Sequence, residues 1–136
     1  MNQWKLLVGC YTSDAFSQPP ETLPMSTPLP IEIDCATTKR RLDSQDDFLL
    51  IDCREASEHE TCRIAGATLL PMSELATRVA ELEPHKHREI IVHCHHGGRS
   101  LRVAHWLRKN GFEKARSLAG GIDQWSLDID PSVPRY

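Results

Sequence analysis

The 136-residue sequence is short of several things, and each shortage closes off a class of protein. Aromatic residues make up only 6%. Lys and Arg number 16 against 19 Asp and Glu, so no basic excess exists to neutralise a phosphate backbone, and nucleic acid is not expected as a partner. No apolar run approaches the roughly 20 residues that cross a bilayer, so no membrane partner is expected. There is no heptad, solenoid or collagen-like repeat. The cysteines stand at 10, 35, 53, 62 and 94, with no CxxC pair, which argues against a disulfide framework and a tetrahedral cysteine zinc site. A reducing, cytoplasmic setting fits best. Leu7-Val8-Gly9-Cys10 has the form of a lipoprotein cleavage site, but the apolar stretch before it is too short for a signal peptide.

What remains is 40% hydrophobic and 26% charged, enough for one core. Residues 1–30 stand apart, because Pro19, Pro20, Pro24, Pro28 and Pro30 deny them a helix or a central strand. This segment reads as a disordered arm or a non-native extension. In the second case Met25 is the true start, and residues 1–24 are not part of the native protein.

From Ile31 to Tyr136 apolar runs alternate with amphipathic stretches. Strands are expected at 31–33, 48–51, 67–70, 89–93 and 115–118. Helices are expected at 35–44 after the N-cap Asp34, at 55–61, from the N-cap Ser73 through Leu75, Val79 and Leu82, at 99–110, and after Gly120-Gly121 through Trp125. The tail, with Pro131 and Pro134, reads as extended. Strands alternating with helices predict an α/β fold with a parallel sheet covered on both faces. In such sheets ligands sit beyond the carboxyl ends of the strands, here Asp52-Cys53 and Cys94.

The second of those ends opens into Cys94-His95-His96-Gly97-Gly98-Arg99-Ser100. The two glycines permit a tight turn with positive φ. Consecutive N–H groups and a helix N-terminus make an anion-binding concavity. A thiol at its centre is stabilised as thiolate. Arg99 adds a permanent charge and a fork of donors for an anion. The plainer alternative is an inert, buried Cys94. Cys35 and Cys53 read as core residues, and Cys62 as a loop thiol. His93, Cys94, His95 and His96 alternate sides along a strand, so they are not expected to converge on a metal. His95 and His96 are placed at the pocket mouth. Trp106 and Trp125 read as packing residues.

Cys94-x-x-Gly97-x-Arg99-Ser100 resembles the active-site loop of the rhodanese-like sulfurtransferase domain. Ile51-Asp52-Cys53-Arg54-Glu55, with Glu58 and Ile64-Ala65-Gly66-Ala67, is similar to that family's first signature. Leu118-Ala119-Gly120-Gly121-Ile122, with Trp125, resembles its last. Arg63 and Ala65 replace a usual histidine and proline, and Cys53 replaces an aliphatic residue. The resemblance implies a rhodanese-like domain over 31–136 with a central five-stranded parallel sheet. It implies a Cys94 persulfide, formed from a small sulfur-containing anion such as thiosulfate and passed to a thiol, a protein or cyanide. Asp52 and Arg54 would buttress the loop, and no cofactor or metal is required. Two other readings stand beside it. One is a non-catalytic binding or sulfur-relay module. The other is a cysteine phosphatase or arsenate reductase, whose loops hold one residue more between cysteine and arginine. The oligomeric state is not legible.

Overall fold

A computed structural model describes residues 28–136. The proline-rich segment therefore lies outside the described residues except at its end. There Arg108 donates to the Leu29 carbonyl at 2.8 Å, and Arg116 donates to that of Pro30 at 2.9 Å.

Five short strands form one wholly parallel sheet: β1 (Glu32–Ile33), β2 (Phe48–Asp52), β3 (Thr68–Leu69), β4 (Glu89–His93) and β5 (Ala115–Leu118). Their order is β1-β5-β4-β2-β3. The continuous apolar runs read as doubly covered strands are so: Ile90, Ile91 and Val92 of β4 have no exposed surface. β2 and β4 pair along five residues, from Phe48 opposite Glu89 to Asp52 opposite His93. Their carboxyl ends therefore lie side by side.

The helices are α1 (Cys35–Asp43), α2 (Ala56–Thr61), α3 (Leu75–Arg78), α4 (Gly98–Lys109) and α5 (Gly121–Asp128). Asp34 caps α1 as expected, accepting from the Thr37 N–H at 2.7 Å. Gly111, at φ +95°, follows the end of α4. On one face of the sheet, Val103, Ala104 and Leu107 of α4 pack with Leu75, Leu82 and Phe112 over Ile51, Ile90 and Val92. On the other, Cys35 of α1 and Ile122 and Trp125 of α5 pack with Ile64 over Ile33, Leu50, Ile91 and Leu118. Each fully buried Leu or Ile stabilises the fold by about 1.5–3 kcal/mol.

The segment after β3 departs from expectation. Ser73 does not cap one long helix; a single α-helical turn lies between 3-10 turns at Met72–Glu74 and Val79–His85. Pro84 supplies no N–H and crowds the carbonyl four residues back, so α-helical bonding does not continue through it. The Ser73 hydroxyl instead donates to the Glu55 carboxylate at 3.0 Å. Among the described residues no helix is long and apolar enough to cross a membrane.

Candidate active site

Cys94 follows the last residue of β4 and is 1% exposed. Its sulfur accepts the N–H of Gly97 at 3.1 Å and that of Ser100 at 3.3 Å. The Ser100 hydroxyl lies 3.4 Å from it. These donors come from the turn and first residues of α4, where N–H groups have no partner within the helix. Gly97 sits at φ +104°, and a side chain there would press on the Gly120 backbone nitrogen at 3.2 Å. Gly98, also expected to supply positive φ, does not: it opens α4 with free space around it.

The Gly120-Gly121 pair explains why the loop's N–H groups point inward. Ile122 and Asp123 donate their N–H groups to the carbonyls of Cys94 and His95 at 2.9 and 3.0 Å. The carbonyls thus turn toward α5, away from the sulfur. A Cβ on Gly121 would lie 2.5 Å from both oxygens, which only glycine avoids.

The Cys94 thiol is held well below its ordinary pKa, at about 4. The Cys53 thiol facing it is the largest cause; burial opposes, and Ser100 and Gly97 add their donors. Cys53 in turn is pushed far up by its charged neighbour and by burial. Cys53 is buried in the core, as expected, yet it also faces the reacting sulfur. Ser117 of β5, fully buried, lies 2.8 Å from the Ser100 hydroxyl. With Ser117 donating, the Ser100 proton is free to point at the thiolate.

Asp52 ends β2, and Arg54 follows it in full burial. They pair through two contacts, Nε to Oδ1 at 2.9 Å and a terminal nitrogen to Oδ2 at 2.7 Å. Burial alone would raise the Asp52 pKa, but Arg54, His93 and His59 hold it low. Arg54 also donates to the Cys62 carbonyl at 2.6 Å and to the Tyr136 hydroxyl at 2.9 Å. Cys62 lies in the loop just after α2, as expected, and is buried there.

Arg99 does not extend a free charge to the pocket. It forks onto Glu58 of α2 at 2.8 and 2.9 Å, which holds the Glu58 pKa at about 2. Tyr136 closes the circuit. Its hydroxyl donates to Glu58 at 2.7 Å, and its ring stacks on His95 at 3.9 Å between centroids. Glu58 was legible as part of a motif but not as a partner of Arg99. Tyr136 gave no signal in the tail, and Ser117 read only as strand.

His95 and His96 lie beyond β4 and not within it, so the expectation that they point apart fails. Their rings stack at 3.9 Å, and with Asp123 they bring three ligand atoms within 4.8 Å. Both Asp123 oxygens are already held by Arg135, at 2.8 and 3.2 Å, and that cation disfavours a metal there.

A parallel α/β domain with a depressed cysteine pKa in an N–H-lined loop defines a class of thiol-centred domains. The comparisons say which. The Rhodanese-like domain family matches residues 35–128, and the chain belongs to that family. It is 38% identical over 95 residues to "Rhodanese-like/PpiC domain-containing protein 12, chloroplastic" of Arabidopsis thaliana, covering 67% of this chain and 31% of that protein. The chain thus spans less than a third of that relative's length. It is 33% identical over 102 residues to a "Sulfurtransferase" of Allochromatium vinosum, covering 75% of this chain and 94% of that one. The rhodanese-like domain of the Anabaena Alr3790 protein superposes with a TM-score of 0.66 at 27% identity, covering 73% of this chain and 75% of that one. Relatives of this chain thus include proteins named as sulfurtransferases.

Proposed function

We propose that the protein moves sulfane sulfur from a small anionic donor such as thiosulfate to a thiophilic acceptor, through a persulfide on Cys94. The observation that carries this reading is the Cys94 sulfur, held by two backbone N–H groups and faced by the Ser100 hydroxyl and the Cys53 thiol. The sulfurtransferase from Allochromatium vinosum, nearly all of whose length the chain matches, supports it.

In the first step the Cys94 thiolate attacks the outer sulfur of the donor. The donor's S–S bond breaks, and with thiosulfate the leaving group is sulfite. In the second, an acceptor thiolate or cyanide takes the outer sulfur and Cys94 leaves as thiolate. The N–H groups of Gly97 and Ser100 stabilise the negative charge at the sulfur in both steps, as an oxyanion hole does. His95, His96 and Gly98 line the loop around it. Arg99, engaged by Glu58, fixes the loop's shape and lends the donor only part of its charge. Asp52 and Arg54 hold Tyr136 and, through it, His95 in place. No step needs a metal or organic cofactor.

The Arg99–Glu58 pair favours one second reading, a relay module fed by a partner's persulfide. A phosphatase or arsenate reductase finds less support, because Ser100 occupies the place where a longer loop would bring an arginine. We place the protein in a reducing compartment, the cytoplasm, on the irregular spacing of its cysteines and the lack of a CxxC pair.

Intact mass after incubation with thiosulfate tests the proposal. Wild type should gain one sulfur, about 32 Da, lost again to cyanide, and Cys94→Ser should gain none. Folded wild type that gains nothing from thiosulfate or from a small persulfide donor would move the assignment to the binding module.

A further inference from the structure

The sulfur chemistry proposed above leaves one buried thiol unused. Cys53 N–H donates to the His93 carbonyl at 3.0 Å, so β2 and β4 stay in register one residue past Asp52 and His93. Cys53 and Cys94 are the next pair. Both belong to the same packed face, with Ile51, Val92, Val103 and Ala104. Neighbouring strands lie about 4.8 Å apart, within the roughly 4.4–6.8 Å between Cα atoms that a disulfide spans. Cys35 and Cys62 are on the opposite face of the sheet. Among the described cysteines, Cys53 alone can reach Cys94 without the sheet being breached.

We infer that Cys53 is the resolving thiol of Cys94, and that oxidation of Cys94 by a hydroperoxide ends in a reversible Cys53–Cys94 disulfide.

Hydrogen peroxide serves as the oxidant. The Cys94 thiolate attacks one peroxide oxygen, the O–O bond breaks, hydroxide departs and Cys94 becomes a sulfenic acid. The Cys53 sulfur then attacks the Cys94 sulfur, and the S–O bond breaks. The departing hydroxide takes the Cys53 proton and leaves as water. A dithiol reductant reverses the product by thiol–disulfide exchange.

The pair also has the right timing. While Cys94 is an anion, its proximity and the burial of Cys53 keep the Cys53 proton in place. Formation of the sulfenic acid removes the negative charge, and the Cys53 sulfur can then attack as its proton passes to the departing hydroxide. Closure stops oxidation at a reducible stage, before the irreversible sulfinic acid.

The test uses the reduced full-length chain and hydrogen peroxide, with no sulfur donor, so its outcome does not depend on whether sulfur transfer occurs. Intact mass should fall by about 2 Da as the two thiol hydrogens are lost. A non-reducing peptide map should join Cys53 to Cys94, and dithiothreitol should restore both thiols. In Cys53→Val, and in Cys53→Ser as a second replacement, Cys94 should gain about 32 Da as sulfinic acid. Dithiothreitol-resistant loss of the Cys94 thiol should then be at least about tenfold faster than in wild type. Circular dichroism checks that both variants fold. If neither does, the wild-type map decides alone. Sulfinic acid accumulating in wild type without the bond, or a bond from Cys94 to any other cysteine, would overturn the inference.

Discussion

At the scale of single residues, the site is a set of donors converging on one sulfur. Because the Cys94 pKa is held far below neutrality, its alkylation by iodoacetamide should be nearly flat between pH 6 and 8.5. An ordinary thiol, with a pKa of about 8.5, gains roughly tenfold per pH unit below that value. Ser100→Ala removes a hydroxyl facing the thiolate and should bring part of that slope back. His93 makes a second prediction. Burial lowers its pKa to about 4, with Asp52 opposing and Arg54 assisting, so it is neutral in the folded protein at pH 7. Unfolded, it titrates near 6.5. The unfolded chain binds the extra proton between those values, so stability falls as pH drops from about 6.5 toward 4. Urea midpoints at pH 7 and 4.5 should show the fall, and His93→Asn should flatten it. Glu58 adds its own loss only lower, below about 4.5. The sequence made Cys94, Gly97 and Ser100 legible because they are contiguous. It hid Cys53 behind its burial, and it left Ser117 and Tyr136 silent because their partners lie 17 and 78 or more positions away.

At the scale of elements, α4 and α5 together shape the loop, one giving N–H groups to the sulfur and the other to the carbonyls. Gly121→Ala should therefore act on the loop as well as on α5. Its Cβ would collide with the Cys94 and His95 oxygens at a φ of +60°. The expected cost is about 1–3 kcal/mol, with slower alkylation of Cys94 in the folded variant. Leu107→Ala, far from the sulfur but unexposed beneath α4, should cost about 2–5 kcal/mol in urea unfolding and leave the alkylation pH profile unchanged. Strands and helices were legible to within a residue or two wherever caps and apolar periods agreed, as at Asp34–Asp43 and Glu89–His93. They failed after Ser73, where helical spacing at Leu75, Val79 and Leu82 competed with Pro84.

At the scale of the whole molecule, one sheet separates two apolar layers, and among the described strands β4 alone has strands longer than two residues on both sides. Amide exchange should be slowest in Ile90–Val92 and faster in β1 and β3, the two-residue edges. Equal protection at edge and centre would contradict this layering. The fold class and parallel topology were readable because alternation of strand and helix permits few arrangements. The circuit from Arg54 through Tyr136 and Glu58 to Arg99 was not, since it depends on where the tail lands.

The pairing of β1 with β5 reaches across most of the chain, from Glu32 to Ser117. A ribosome releases Glu32 long before Ser117, so the first strand waits without its neighbour throughout translation. Arg108 and Arg116, which grip the backbone just ahead of that strand, also emerge late. The domain is therefore one that closes only after synthesis has passed β5. Until Tyr136 leaves the exit tunnel, the nascent chain carries Cys94 without the ring that stacks on His95.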